Sequence, residues 1–183
     1  MTNTQDALER ALSFAEDYGL RAPIILAPMP GATPVPLSVA VTSGGGMGSC
    51  GVLLMTPDQI KSWVRDMRAS SNGTFQLNTW IPDPDPIRDQ QHEKEVRQFL
   101  GNWGPVVSET AGDVPLIDFS SQCEAMLEAG PTVISSIMGL YPPEFVKRFK
   151  AKGIKWFAKA TTVTEALMAE EAGADVIVAQ GME

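Results

Sequence analysis

Three times in the last third of the chain, a segment with helical spacing stops at a glycine and a short apolar run follows. Phe119 to Ala129 stops at Gly130 before TVISSI. Pro143 to Lys152 stops at Gly153 before IKWFAKA. A segment capped by Thr162, with Glu165 at the capping-box position, stops at Gly173 before DVIVAQ. The three glycines stand 23 and then 20 residues apart. Glycine takes the left-handed conformation that ends a helix at little steric cost. Runs this short and this apolar bury both faces, as strands of a parallel sheet do. Helices alternating with such strands define right-handed βαβ units.

The N-terminal half has the same grammar with weaker punctuation. Leu8, Ala11, Leu12 and Ala15 make a helical stripe that Gly19 ends. Pro23 to Met29 (PIILAPM) reads as a buried strand, and Thr33-Pro34 opens a helix that the cluster Gly44 to Gly46 closes. MGSCGVL is a second strand. Thr56, Pro57 and Gln59 form a capping box, and Ile60, Trp63, Val64 and Met67 make the stripe of the helix that follows. TFQLNT is a third strand. Six strands are thus expected, near 23–27, 47–53, 74–79, 132–137, 154–159 and 175–180. From the residues alone, an open doubly wound sheet and a (β/α)8 barrel both remain. The stretch 80–115 alternates Pro82, Pro84 and Pro86 with Asp83 and Asp85, so it is a long surface excursion with a polar helix near Arg88 to Leu100.

Composition narrows the function. Fourteen basic against 22 acidic residues leave a net charge of −8, the wrong sign for neutralising nucleic-acid phosphates. No run approaches the roughly 20 apolar residues that cross a bilayer, and MTNTQDALER lacks the basic flank and apolar core of a signal peptide. Cys50 and Cys123 read as small buried apolar residues and fit a reducing compartment, so a cytoplasmic location is expected. His92 is the only histidine, lies in a polar helix, and reads as solvent-exposed. With it and two separated cysteines there is no metal-ligand spacing.

Gly46 to Gly51 spells G-x-G-x-x-G, but a helix precedes it and an apolar run follows, the reverse of the dinucleotide-binding order. These glycines instead end a helix and let a strand enter a crowded barrel. Polar residues at strand C-terminal ends are more informative, because ligands sit at that edge of parallel α/β folds. Asn78, Ser135, Ser136, Lys159 and Gln180 occupy such ends and together make a ring of hydrogen-bonding groups for one planar, polar ligand. Lys159 is the least expected of them, because burying an unpaired ammonium is unfavourable and an anionic partner resolves it.

PIILAPM with the following glycine, GGGMGS, FQLN, ISSIMG, ATTVTEA and ADVIVAQGME resemble the FMN-dependent nitronate monooxygenases, formerly called 2-nitropropane dioxygenases, over essentially the whole chain. The same broader group contains FMN-dependent enoyl-acyl-carrier-protein reductases and flavin NADH:quinone reductases. The resemblance implies a TIM (β/α)8 barrel with FMN across the strand C-termini. It implies that the backbone around Ala27, Pro28 and Met29 runs against the flavin ring, that Asn78 hydrogen-bonds it, that the Lys159 ammonium lies near it, and that Gln180 and Gly181 contact it. It further implies oxidation of an alkyl nitronate or nitroalkane by O2 to a carbonyl compound and nitrite. Met29, Trp80 and Met138, from their strand-end positions, are candidates for the apolar wall of the substrate site.

The family motif continues past Q-G-M-E to a histidine that is the candidate base for neutral nitroalkanes. That histidine is expected beyond Glu183, so no catalytic residue is assigned in this chain, and His92 does not match it. The last two strands and the phosphate site that (β/α)8 barrels hold in their loops are likewise expected beyond Glu183. The chain is therefore expected to form one partial barrel domain over 1–183, inactive by itself, with apolar open edges that suit a complementing C-terminal segment or chain, or homo-oligomer pairing. The reading in a different class is a non-catalytic half-barrel whose role is to complement a partner.

Overall fold

The computed structural model describes residues 4–71, 73–84, 87–113 and 117–181. Its strands are β1 (Gly48–Gly51), β2 (Phe75–Trp80), β3 (Val133–Ile137), β4 (Lys155–Ala160) and β5 (Val176–Ala179). Its helices are α1 (Thr4–Asp17), α2 (Val35–Ser43), α3 (Pro57–Ser70), α4 (Gln90–Leu100), α5 (Phe119–Ala129), α6 (Pro143–Ala151) and α7 (Val163–Glu171). All strand pairs are parallel, and the spatial order β1-β2-β3-β4-β5 equals the chain order. A doubly wound sheet reverses its order at a switch point; this one does not. The sheet is one part of a (β/α)8 barrel wall, and it is not closed.

Local chemistry explains the helix ends. Thr56 accepts from the Gln59 N–H while the Gln59 side chain accepts from the Thr56 N–H, 2.8 Å apart. Asp118 caps α5 by accepting from the Ser121 N–H, and Thr162 caps α7 by accepting from the Glu165 N–H. Gly130 ends α5 in the left-handed conformation, with φ 59°.

The strand expected at 23–27 is reduced to a single parallel bridge, Ile25 to Met47. The Leu26 N–H donates to the Met47 carbonyl and the Met47 N–H to the Ile24 carbonyl. The ladder then stops, for a reason visible in the residues. Pro28 has no N–H to continue it. The backbone groups of Ser49 that would pair next are both held by the Ser38 hydroxyl of α2, which donates to the Ser49 carbonyl at 2.7 Å and accepts from the Ser49 N–H at 3.2 Å. The described residues therefore hold five strands where six were expected. The glycines of 44–51 serve the close packing expected of them. A Cβ on Gly46 would lie 2.7 Å from the Ile24 carbonyl oxygen, and one on Gly51 would lie 2.7 Å from Pro30 N.

The two faces of the sheet differ, as the two-residue period of a strand requires. On the outer face Cys50, Leu77, Ile134, Trp156 and Ala158 pack with Ile60, Val64 and Met67 of α3, Met126 of α5 and Phe149 of α6. Both thiols are buried on this side, which pushes the pKa of Cys50 and of Cys123 up to about 12. On the inner face Met47, Val133 and Phe157 meet Phe14, Tyr18 and Leu20. The Tyr18 ring stands edge-on to Phe157 at 5.0 Å. Helix α1 thus plugs the N-terminal end of the barrel wall with apolar and aromatic groups.

The excursion after β2 carries α4 and a short 3-10 turn, Ala111–Asp113, tied together by Arg88, which donates to Glu93 and Asp113. His92 is exposed near the N-terminus of α4, and its backbone N–H donates to Asp89. Of the proline-aspartate alternation, Asp85 and Pro86 lie outside the described residues. No described helix is long and apolar enough to cross a membrane.

Candidate functional site at the strand C-terminal rim

Strand register decides which strand-end residues meet. Gly51, Asn78, Ser135, Phe157 and Val176 form one row across the sheet on the inner face. The next inner positions towards the C-terminal ends are Trp80 beside Ile137, and Lys159 beside Val178. The inner face is therefore apolar and aromatic where it meets Phe14, Tyr18 and Leu20, carries Asn78 and Ser135 in its middle row, and ends at the rim in one charged group, Lys159, among Trp80, Ile137 and Val178.

Asn78 and Ser135 are both buried, and the Asn78 amide donates to the Ser135 hydroxyl at 3.0 Å. Tyr141, wholly buried beneath β3, donates its hydroxyl to the Ser135 carbonyl at 2.9 Å and so fixes this part of the strand. Ser136, counted with the ring from sequence, faces the other way. Its hydroxyl accepts from the Trp156 indole N–H at 3.0 Å on the outer face. The period of the strand sorts the two neighbouring serines, one to the site and one to the core.

Lys159 is half-buried, and no hydrogen bond or ion pair reaches its ammonium among the described residues. Burial lowers its pKa from the ordinary lysine value. Glu165, the acid nearest in sequence, is committed elsewhere. Its carboxylate accepts from the Thr161 N–H at 2.7 Å and the Thr161 hydroxyl at 2.9 Å, and these bonds hold its pKa below the usual carboxylate range. Among the described residues no carboxylate forms an ion pair with Lys159.

Ala27, Pro28 and Met29 run along the open side of β1, and the backbone N–H groups of Ala27 and Met29 have no hydrogen-bond partner among the described residues. Gln180 and Gly181 follow β5 and are exposed; the Gln180 N–H donates to the Ala160 carbonyl. Met182 and Glu183 lie outside the described residues. The register brings Asn78 and Ser135 into contact, and it sets Lys159 one inner position beyond their row. Met29, Trp80 and Met138 are each partly exposed, and of these only Met138 shares a cleft with Lys159.

Two inner-face polar residues were not singled out from sequence. Gln76 donates its amide to the Leu26 carbonyl at 3.4 Å, and the buried Ser49 hydroxyl has no hydrogen-bond partner among the described residues. Period-two counting back from Asn78 and Gly51 places both on the same face, and that was the signal available.

A parallel sheet whose spatial order equals its chain order, plugged at its N-terminal end, places this chain among the α/β-barrel folds, in which ligands sit at the strand C-terminal rim. A family model described as nitronate monooxygenase matches residues 14–183, and the chain belongs to that family. It is 32% identical to a nitronate monooxygenase of Paraburkholderia phytofirmans, over 90% of this chain and 46% of that protein. It is 30% identical to one from Pseudomonas aeruginosa, over 93% of this chain and 50% of that protein. The chain spans about half the length of the curated relatives it matches. Among solved structures it resembles nitroalkane oxidase from Streptomyces ansochromogenes, with TM-score 0.78 and 25% identity over 92% of this chain and 48% of that one. It shares its fold with FabK from Thermotoga maritima, with TM-score 0.68 and 22% identity over 93% of this chain and 44% of that one.

Proposed function

We propose that this chain supplies the rim of an FMN-dependent enzyme that oxidises alkyl nitronates with O2 to carbonyl compounds and nitrite. The observation that carries the proposal is the half-buried Lys159 ammonium, which makes no ion pair among the described residues and lies at the C-terminal rim of a plugged barrel wall. A flavin fits the residues present. An anionic ligand compensates the desolvated ammonium, and the free N–H groups of Ala27 and Met29 are donors for a heteroaromatic ring. Ala27, Pro28, Met29, Asn78, Lys159, Gln180 and Gly181 are the residues we assign to FMN. When bound, FMN supplies the electron acceptor for the nitronate and the route to oxygen.

The chain's own groups have three tasks. Lys159 attracts negative charge into a site where the dielectric is lower than in water, so its pull exceeds that of a surface lysine. Asn78, held by Ser135, keeps a fixed amide orientation and needs no reorganisation when a ligand arrives. The apolar α1 plug closes the far end to water. Proton abstraction from a neutral nitroalkane falls to no residue of this chain in the proposal, since His92 is exposed on the excursion.

The open edges at the 24–29 segment and at β5, with the exposed Val163 and Leu167 of α7, are where the remaining strands of a closed barrel pack, whether as a segment of the same protein or as a second chain. Two buried free thiols support a reducing compartment, the cytoplasm. The test uses the holoprotein with FMN, oxygen and propyl-2-nitronate, without NAD(P)H. Nitrite and acetone in equal amounts support the proposal; no nitrite, while a parallel assay supplied with NAD(P)H consumes it on an enoyl thioester or a quinone, refutes it.

A further inference from the structure

Between the loops that leave β3 and β4 lies a cleft of about 420 Å³, lined by Ile137, Met138, Leu140, Lys159, Glu165 and Met168 among others. Its wall is largely hydrocarbon and thioether, and its cation is Lys159. Glu165 turns its carboxylate to the Thr161 N–H and hydroxyl, and no ion pair joins it to Lys159 among the described residues.

The loop that forms one wall is strained. Met138 has φ 66°, alone among the described non-glycine residues in having a positive φ. The next residue, Gly139, has φ 147°, and a Cβ there would stand 3.1 Å from the Ile81 side chain. The chain therefore turns sharply at the end of β3, and Met138 is left 55% exposed over the cleft. Strain of this kind persists where surrounding structure over-determines it, and it gathers at binding sites. Met168 on α7 is 53% exposed. Two flexible, polarisable methionines at one cleft suit chains of variable length and shape.

We propose that this cleft is the alkyl-chain subsite of the enzyme and selects nitronates with longer chains. The ligand is an amphiphilic anion: its charged head faces Lys159, and its hydrocarbon tail lies between Met138 and Met168. This inference rests on the nitronate reading above and adds to it a substrate preference and two specificity-determining residues.

The experiment compares ethylnitronate with hexylnitronate on the holoprotein. Affinity is measured anaerobically by calorimetry, and the same samples are then aerated and assayed for nitrite. Each methylene that leaves water strengthens binding by up to about fourfold, so hexylnitronate is expected to bind at least about tenfold more tightly. Met168→Trp, which fills the cleft, and Met138→Gly, which removes one wall while easing the backbone, should each shrink that ratio towards one. Failure of one variant to fold leaves the other variant and the wild-type ratio to decide.

Tighter binding of hexylnitronate with nitrite release supports both the subsite and the activity. Tighter binding without nitrite keeps the subsite and refutes the activity. Equal affinities, or a ratio untouched by either folded variant, overturn the subsite even if nitrite is made.

Discussion

Lys159 concentrates the electrostatics of the rim. Its pKa is depressed by burial, so the charged form is less favourable in the folded chain than in the unfolded one. In the ligand-free protein the unfavourable contribution is present below the folded pKa. It is relieved as pH rises through the window between that value and the ordinary lysine value of 10.5. Thermal unfolding across that window should therefore show a gain in stability with pH that Lys159→Met abolishes. The variant should also have the higher Tm at neutral pH. Binding of an anion has the opposite dependence. The KM for a nitronate should rise as Lys159 loses its proton, and Lys159→Met should flatten that limb of the pH profile.

Gly51 is a second single-residue test. A Cβ there would lie 2.7 Å from Pro30 N and within 2.9 Å of its Cδ, both parts of a stiff ring that cannot swing aside. Gly51→Ala should cost about 1–3 kcal/mol and displace Pro28 to Pro30. Denaturant titration reads the first effect, and weaker FMN binding reads the second.

At the scale of elements, the contrast between 23–27 and the other strands shows what was legible. The five strands of the sheet, bounded by glycine or capping residues, stand where their apolar runs place them. So do α5, from Phe119 to Ala129, the capping box at Thr56 and the N-cap at Thr162. PIILAPM has the same composition but meets a competitor for its hydrogen bonds, the Ser38 hydroxyl. No local pattern announces that a serine of the following helix will occupy both backbone groups of Ser49. The same limit applies to the site. Asn78 and Lys159 were legible because each stands out at the end of an apolar strand, whereas Ser135 and Ser136 needed the register to be told apart. Ser49 and Gln76 sit on the inner face as Asn78 does, but mid-strand polar residues give no end-of-strand signal.

Ser38→Ala tests the element-level account. It leaves the Ser49 N–H and carbonyl buried without partners, and Pro28 cannot donate in place of the hydroxyl. The expected loss is about 2–4 kcal/mol, read from the shift in denaturant midpoint at unchanged slope. Recovery of full stability through an extended 23–29 strand would contradict the account.

For the whole molecule, one asymmetry organises everything: an aromatic plug at the N-terminal end of the barrel wall and, at the other, a rim that carries the Lys159 ammonium among apolar neighbours. The order of five consecutive parallel strands, with five helices packed on one side, makes the inner face a continuous surface from plug to rim. The central claim is that this rim holds FMN through Asn78 and Lys159. Titration of FMN into the flavin-free full-length protein, followed by flavin fluorescence, tests it most directly. The account predicts saturable binding that weakens about tenfold or more in Asn78→Ala, the worth of one lost hydrogen bond in a desolvated site, and weakens also in Lys159→Met. Unchanged FMN affinity in both folded variants would contradict it.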